Sequence, residues 1–425
     1  MGINDFKRIK QEFIQQTNLN KLRQYTDKRT KVKVYVDGSF YRYTGYISNN
    51  LNNEGSAYIP QRVAETAVTL IYNSVSRIEK IKDVIGVYVF FDGIRPTSKT
   101  KTSTIRQMRK TPKKNAREVL NCMMKLLNDH NYIINNLVIG ESEHEMFLHR
   151  DPNYPSILLS DDSDLFHISF QYSSITVNDV IFIVTKSLRT SYDITQMSKE
   201  LRNVPKLIFT ILCCLKGSDY THSAFTTTMF LVLLKTYCDR QYMSSTSKAI
   251  MNDINDFCDN FKKMENKTNI HVKKVGPMTY NKLDEDDYDT IPGIFTINDV
   301  CWCIKQLLLL LGASTSPFVW NNDKYKNVET YAESIQSIKD QLESIVWFVN
   351  YSFLGCKYDK YFEPVTFPSS LSHFRLYLFI LQVDYDDDIY DKLINTHLEN
   401  TDKKQFLKTL KDDVNVSTQE ATKAH

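Results

Sequence analysis

The chain has 425 residues and 42% hydrophobic content, enough to bury a large core and to form two or more substructures. Its 53 Lys and Arg nearly cancel its 50 Asp and Glu, so overall charge neither requires nor excludes nucleic acid and the distribution of charge has to be read instead. No apolar run reaches the roughly eighteen residues of a membrane span. The start, Met1-Gly2-Ile3-Asn4-Asp5-Phe6-Lys7, lacks a signal peptide's apolar stretch and carries Phe where a myristoylation signal wants Ser or Thr. The expectation is an intracellular protein of the cytoplasm, with the nucleus left open and no membrane partner.

The first strand-like run, 32–36, is β-branched and ends at Asp37, with Phe40, Tyr41 and Tyr43 close behind it. Most aromatics at such positions belong to a core. Of these rings, Tyr43 is the best placed to stack on a nucleobase. A helical pattern over 61–82 leads to a second run, 84–91, that ends at Asp92.

A basic stretch follows directly. Lys99, Arg106, Arg109, Lys113 and Arg117 recur at spacings of seven, three, four and four, so a helix there carries a cationic stripe, with Pro112 opening a new helix or kinking this one. An isolated run of this kind is ordinarily a solvated face. Beside an acidic centre it reads as a grip on phosphates, with Lys99, Arg106 and Arg109 nearest.

After a helical pattern at 115–129, the run 137–139 leads into Gly140-Glu141-Ser142-Glu143-His144-Glu145, which opens a helix at 141–149. The run 157–159 then ends in Asp161-Asp162-Ser163-Asp164. If extended geometry persists, Asp162 and Asp164 share one face of the strand. A fifth strand, 180–184, and an apolar helix, 204–215, precede Lys216-Gly217-Ser218-Asp219-Tyr220.

Alternating strand and helix signals over residues 1–235 predict an α/β domain: a mostly parallel central sheet with helices on both faces and ligands at the carboxyl ends of the strands. Beyond 235 the patterns at 245–263, 298–312, 328–354 and 370–382 predict a mainly helical region to about 410, with a polar connection over 264–293 and a frayed tail at 411–425. The eight cysteines lack zinc spacing and read as buried thiols.

A lone strand-end aspartate is more often a turn former than a ligand. Acids collected from five places are different, because they repel one another unless a cation sits between them. Asp37, Asp92, Glu141, Glu143, Asp162, Asp164 and Asp219 are therefore expected to hold two Mg²⁺ or Mn²⁺ ions, as in a two-metal phosphodiesterase.

At these residues the chain resembles the flap-endonuclease and 5′→3′ exonuclease superfamily. The resemblance rests on Met1-Gly2-Ile3, a strand ending in Asp37, Phe91-Asp92-Gly93 with Lys99 seven residues after the Asp, the paired glutamates, Asp162-Ser163-Asp164 and Gly217-Ser218-Asp219-Tyr220. Two branches compete. Gly140-Glu141-Ser142-Glu143-His144 is similar to the Gly-Glu-Gly-Glu-His of Xrn-type exoribonucleases, which implies Glu141 and Glu143 as the metal-site pair. The flap-endonuclease form shifts the pair to Glu143 and Glu145. After Asp219 this chain has Thr221-His222-Ser223-Ala224-Phe225 in place of the glycine hairpin that clamps duplex DNA in flap endonucleases. The segment from Trp347 to Pro364 resembles a second Xrn segment, while Tyr43 and Gly217-Ser218-Asp219-Tyr220 read like the flap-endonuclease form.

The resemblance implies a minimal 5′→3′ exonuclease acting on single-stranded nucleic acid, with 5′-monophosphorylated RNA preferred and DNA open. Its alternative is a structure-specific DNA nuclease. A protein of this fold that binds without cutting is a third, weaker reading.

Overall fold

In the computed structural model, placement is described for residues 16–17, 31–49, 60–99, 116–137, 139–162, 164–173, 180–185, 190–218, 220–221, 223–225, 227–239, 243–267, 292–313, 331–355, 358–361 and 363. The chain divides into two compact units. The first runs to Arg202 and the second begins at Asn203.

The first unit is a seven-stranded sheet of order β1-β7-β6-β5-β2-β3-β4. Its strands are β1 (Gln16–Thr17), β2 (Lys31–Asp37), β3 (Asp83–Phe91), β4 (Ile133–Asn136), β5 (Ser156–Leu159), β6 (Ile181–Val184) and β7 (Ser191–Asp193). The run from β6 to β4 is parallel throughout, and only β7 and β1 run antiparallel to their neighbours. This is the predicted α/β sheet. Its chain order turns back between β2 and β5, and such a reversal opens a crevice at the strands' carboxyl ends.

Alternation along the strands fixes the two faces. Val32, Val34 and Val36 of β2, with Val87, Val89 and Phe91 of β3, face a core shared with α1 (Gly38–Ser48), α2 (Pro60–Glu79) and α3 (Ala116–Asp129). In α2, Val63, Ala67, Ile71, Val75 and Ile78 recur at helical spacing and are all buried. The intervening strand residues, among them Tyr35, Phe90, Leu158 and Ile183, serve the other face, with α4 (Ser142–Leu148), α5 (Asp164–Tyr172) and α6 (Ile194–Glu200).

The first acid sits where it does because β2 stops being a strand. Asp37 caps α1, its Oδ1 accepting the Phe40 amide at 2.9 Å. Gly38 is required next to it: a Cβ there would stand 2.6 Å from the Phe91 ring and 2.8 Å from the Phe90 carbonyl oxygen.

Several sequence expectations change. The run 137–139 is not the fourth strand; pairing with β3 is made by Ile133–Asn136, and the later residues add only a Leu137 amide bond to the Phe91 carbonyl and an isolated bridge between Ile94 and Ile139. Extended geometry does not persist from Asp162 to Asp164. Asp164 opens α5, and the Asp162 carboxylate turns back to accept its amide at 3.1 Å. The predicted connection beginning at 264 is still helical to Lys267. The segments 370–382 and 411–425 lie outside the described residues.

The second unit holds α7 (Lys206–Lys216), α8 (Thr227–Cys238), α9 (Ser245–Lys267), α10 (Ile297–Ala313) and α11 (Tyr331–Leu354). Of these, α7 lies before residue 235 and α8 crosses it. Trp347 and Tyr351 stack at 4.9 Å and pack with Tyr220, all three buried. The Asn350 side chain accepts the amides of Ile294 and Phe295, each at 2.9 Å, and donates to the Phe295 carbonyl at 2.8 Å. Cys213, Cys214, Cys258, Cys301 and Cys303 are buried free thiols, as their apolar settings predicted. Among the described residues, no helix is long and apolar enough to cross a membrane.

Candidate active site

At the carboxyl ends of β2 and β3, acids from three segments meet on one hydroxyl. Ser142 Oγ lies 2.8 Å from Asp92 Oδ1, 3.3 Å from Asp37 Oδ1 and 3.3 Å from Glu143 Oε2. It has one proton to give and three carboxylates competing for it. Further donors hold the acids in place. Asp37 Oδ2 accepts from Ser160 Oγ at 3.0 Å, and Ser160 also receives the Asp162 amide at 3.1 Å. Asp92 Oδ1 accepts the Ser142 amide at 3.1 Å, while the Asp92 amide donates to Ser39 Oγ at 2.9 Å.

The backbone that carries Asp92 is tied to the glutamate loop. Gly93 donates to the Gly140 carbonyl at 3.0 Å, and Gly140 donates to that of Ile94 at 3.0 Å. This clip sets Asp92 beside Glu141 and Glu143.

Two cations enter the cluster. Arg95 bonds Asp92 Oδ2 through a guanidinium nitrogen, and Lys99 bonds Glu141 Oε1. Lys99 is buried, so it is no part of a solvated stripe. Burial pushes the Asp92 carboxyl up, but Arg95 and the Ser142 bonds outweigh it and hold it down at about 2. Burial likewise works against the Glu141 charge and Lys99 restores it, leaving that carboxyl below its ordinary value.

The acids without a cation behave oppositely. Burial, then the charges of Asp92 and Asp162, push Asp37 up to about 7. Glu143 is raised well above its ordinary value by burial and by Asp37, Asp92, Glu141 and Asp162. Among the described residues, the acids of the site outnumber the cations that pair with them, which is the electrostatic condition for a bound metal ion.

Of the residues expected from sequence, Asp37, Asp92, Glu141, Glu143 and Asp162 act on one another electrostatically. Asp164 stands at the start of α5, and its amide is bound by Asp162. Asp219, Arg106 and Arg109 lie outside the described residues. Phe40 and Tyr41 belong to the core, Tyr41 donating to or accepting from Ser74 Oγ at 3.3 Å, whereas Tyr43 is half-buried on α1. Glu145 is turned toward His149, its Oε2 3.4 Å from Nδ1. Sequence reasoning missed Ser142, Ser160 and Ser39 as organisers of the acids. Their only signal was adjacency, Ser142 lying between two glutamates and Ser160 directly before Asp161.

All the acids offer hard oxygen donors, a set that fits Mg²⁺ or Mn²⁺ in chemistry. Among the described residues, no three His, Cys, Asp or Glu side chains are placed as ligands around one point. The acids gather on Ser142, Arg95 and Lys99 instead.

No protein-family model matches this chain, and no curated protein matches it. Solved structures do. The catalytic core of Rad2 in complex with DNA substrate is 16% identical, over 93% of this chain and 99% of that one, with a TM-score of 0.37. Human GEN1 in complex with Holliday junction DNA is 15% identical over 73% and 77%, with a TM-score of 0.38. The T5 5′-exonuclease with bound zinc ions is 12% identical over 43% and 65%, with a TM-score of 0.30. These are distant likenesses at low identity, and function is carried by a site's own residues.

Proposed function

We propose that this chain is a divalent-metal-dependent phosphodiesterase of the 5′-nuclease type. The observation that carries the reading is the meeting of Asp37, Asp92 and Glu143 on Ser142, with Asp37 and Glu143 left short of counter-charge. Asp37, Asp92, Glu141, Glu143 and Asp162 would hold the ions, with Asp164 and Asp219 completing the set by sequence. Two ions of this kind, when bound, supply activation of water and charge stabilisation at the leaving oxygen.

The protein's own groups do the rest. Lys99 keeps Glu141 ionised and stands ready to offset phosphate charge. Tyr43, half-buried on α1, is the sequence's candidate for stacking on a base, and Arg106 with Arg109 are its candidates for the 5′ phosphate.

The finer reading is a 5′→3′ exonuclease of single-stranded RNA. It is supported by the orientation of the glutamates: Glu141 and Glu143 serve the cluster while Glu145 turns to His149, the pairing that the Xrn-type resemblance implies. The competing reading, a flap-endonuclease-like DNA nuclease, is favoured by Tyr43 and by the form of Gly217-Ser218-Asp219-Tyr220. One gel separates them: 5′-phosphorylated single-stranded RNA, single-stranded DNA and a 5′-flap DNA, each with Mg²⁺ and with EDTA. Stepwise loss of RNA from its 5′ end, abolished by EDTA, is expected. Junction cutting of the flap in preference to RNA replaces the exoribonuclease reading, and cleavage that survives EDTA removes the metal reading altogether.

A further inference from the structure

The two oxygens of Asp92 are used differently. Oδ1 is taken by Ser142, which reaches it with both its amide at 3.1 Å and its hydroxyl at 2.8 Å. Among the described residues, Oδ2 is bonded by the Arg95 guanidinium. An ion that approaches Asp92 on the side away from Ser142 meets Arg95 first.

The two resident cations are not equivalent. The Lys99 and Glu141 side chains are 11% and 7% exposed, an enclosed pair. The Arg95 side chain is 42% exposed against 8% for Asp92, so part of it reaches the rim of the site, while the charges of Glu141 and Glu143 act on its guanidinium as well. Its backbone, by contrast, is fixed. Gly93, Ile94 and Gly140 are clipped together, and the Pro96 carbonyl accepts the Lys99 amide at 3.0 Å. Arg95 can therefore leave by side-chain rotation alone, without disturbing the loop that carries Asp92.

We propose that Arg95 is a resident counter-ion that occupies Asp92 in the metal-free protein and is displaced when a divalent ion binds, which frees its guanidinium at the mouth of the site for a substrate phosphate. This rests on the metal-dependent reading above and deepens it. The physical cause is direct: a dication and a guanidinium on one carboxylate repel, so each weakens the other's hold by the same factor. A released guanidinium keeps its forked donors and is suited to a phosphate oxygen pair. Binding of the ion and of the nucleic-acid end are thereby coupled through one side chain.

Direct metal titration tests the proposal without reference to cleavage. Mn²⁺ and Mg²⁺ are titrated calorimetrically into metal-free wild type, Arg95→Gln, Arg95→Met, Arg95→Lys and Asp92→Asn at neutral pH. Both uncharged variants should bind the first ion more tightly than wild type, by up to about fivefold, the scale of a partly exposed charge pair. Arg95→Lys should stay near wild type. In wild type itself, the Arg95 side-chain NH resonance should move toward its solvent-exposed position as Mg²⁺ is added, a measurement that needs no variant to fold. Unchanged or weaker affinity in Arg95→Gln and Arg95→Met, or an Arg95 resonance indifferent to saturating Mg²⁺, overturns the proposal while leaving the metal reading intact. Failure of every protein to bind either ion, or full binding by Asp92→Asn, overturns the metal reading instead.

Discussion

Four buried ionisable side chains make the stability of the metal-free protein depend on pH. Asp37, pushed up to about 7 by burial and its acidic neighbours, keeps in the folded state a proton that the unfolded chain releases near 3.8. Stability from this group is present at low pH and lost as pH rises through about 7, and Glu143 acts in the same direction. His144 and His167 act oppositely. Burial lowers them to about 4 and about 3 from an ordinary 6.5, so the unfolded chain takes up protons first as pH falls below that value. Between about pH 4.5 and 6.5 the two effects oppose one another, and above about pH 6.5 only the acids act. The melting temperature of EDTA-treated protein should therefore fall as the pH rises from about 6.5 through 7, and saturating Mg²⁺ should remove that fall. A melting temperature in EDTA that does not fall above about pH 6.5 would count against the unneutralised acids.

At the scale of elements, the junction between β2 and α1 is the tightest constraint on the site. The Gly38 position faces Phe90 backbone as well as the Phe91 ring, so a methyl group there cannot be absorbed by a side-chain shift alone. Gly38→Ala should cost about 1–3 kcal/mol in thermal or denaturant unfolding and also reduce cleavage, because it displaces the helix that Asp37 caps. Wild-type stability and activity in that variant would mean that the approach is looser than drawn. Much of this arrangement was legible in sequence. β-branched runs ending in Asp37 and Asp92 marked the strands and the end of the sheet where acids collect, because burial on both faces leaves an unmistakable apolar signature. Less legible were α1 and α5, whose first turns continue directly from acids and read as loops. The i, i+2 spacing of Asp162 and Asp164 suits a continuing strand, whereas a short acid that binds the next helix's amide leaves the same letters in sequence. Pairing by Ile133–Asn136 was hidden by its two asparagines, since an edge strand needs only one apolar neighbour.

At the scale of the whole molecule, the second unit depends on a side chain with no chemistry. Asn350 is fully buried and makes bonds to the backbone of Ile294, Phe295 and Val346. Asn350→Ala would strand several of these groups without partners, at about 1–3 kcal/mol for each, and should unfold the second unit or lower its melting temperature sharply. A drop no larger than that of an average surface substitution would contradict that role. The first unit has its own unevenness, and it follows from where β2 lies. Hydrogen-bonded on one side to β3 and on the other to β5, β2 places Asp37 at the end of a backbone protected on both sides, whereas Glu141 and Glu143 come from the N-cap and first turn of a seven-residue helix reached from the edge strand β4. Amide hydrogen exchange should accordingly be slowest at Val34–Val36 and much faster across α4. The acid cluster is thus assembled from one half that opens only with global unfolding and another that can open locally, so ions can enter or leave as α4 breathes while the sheet stays shut.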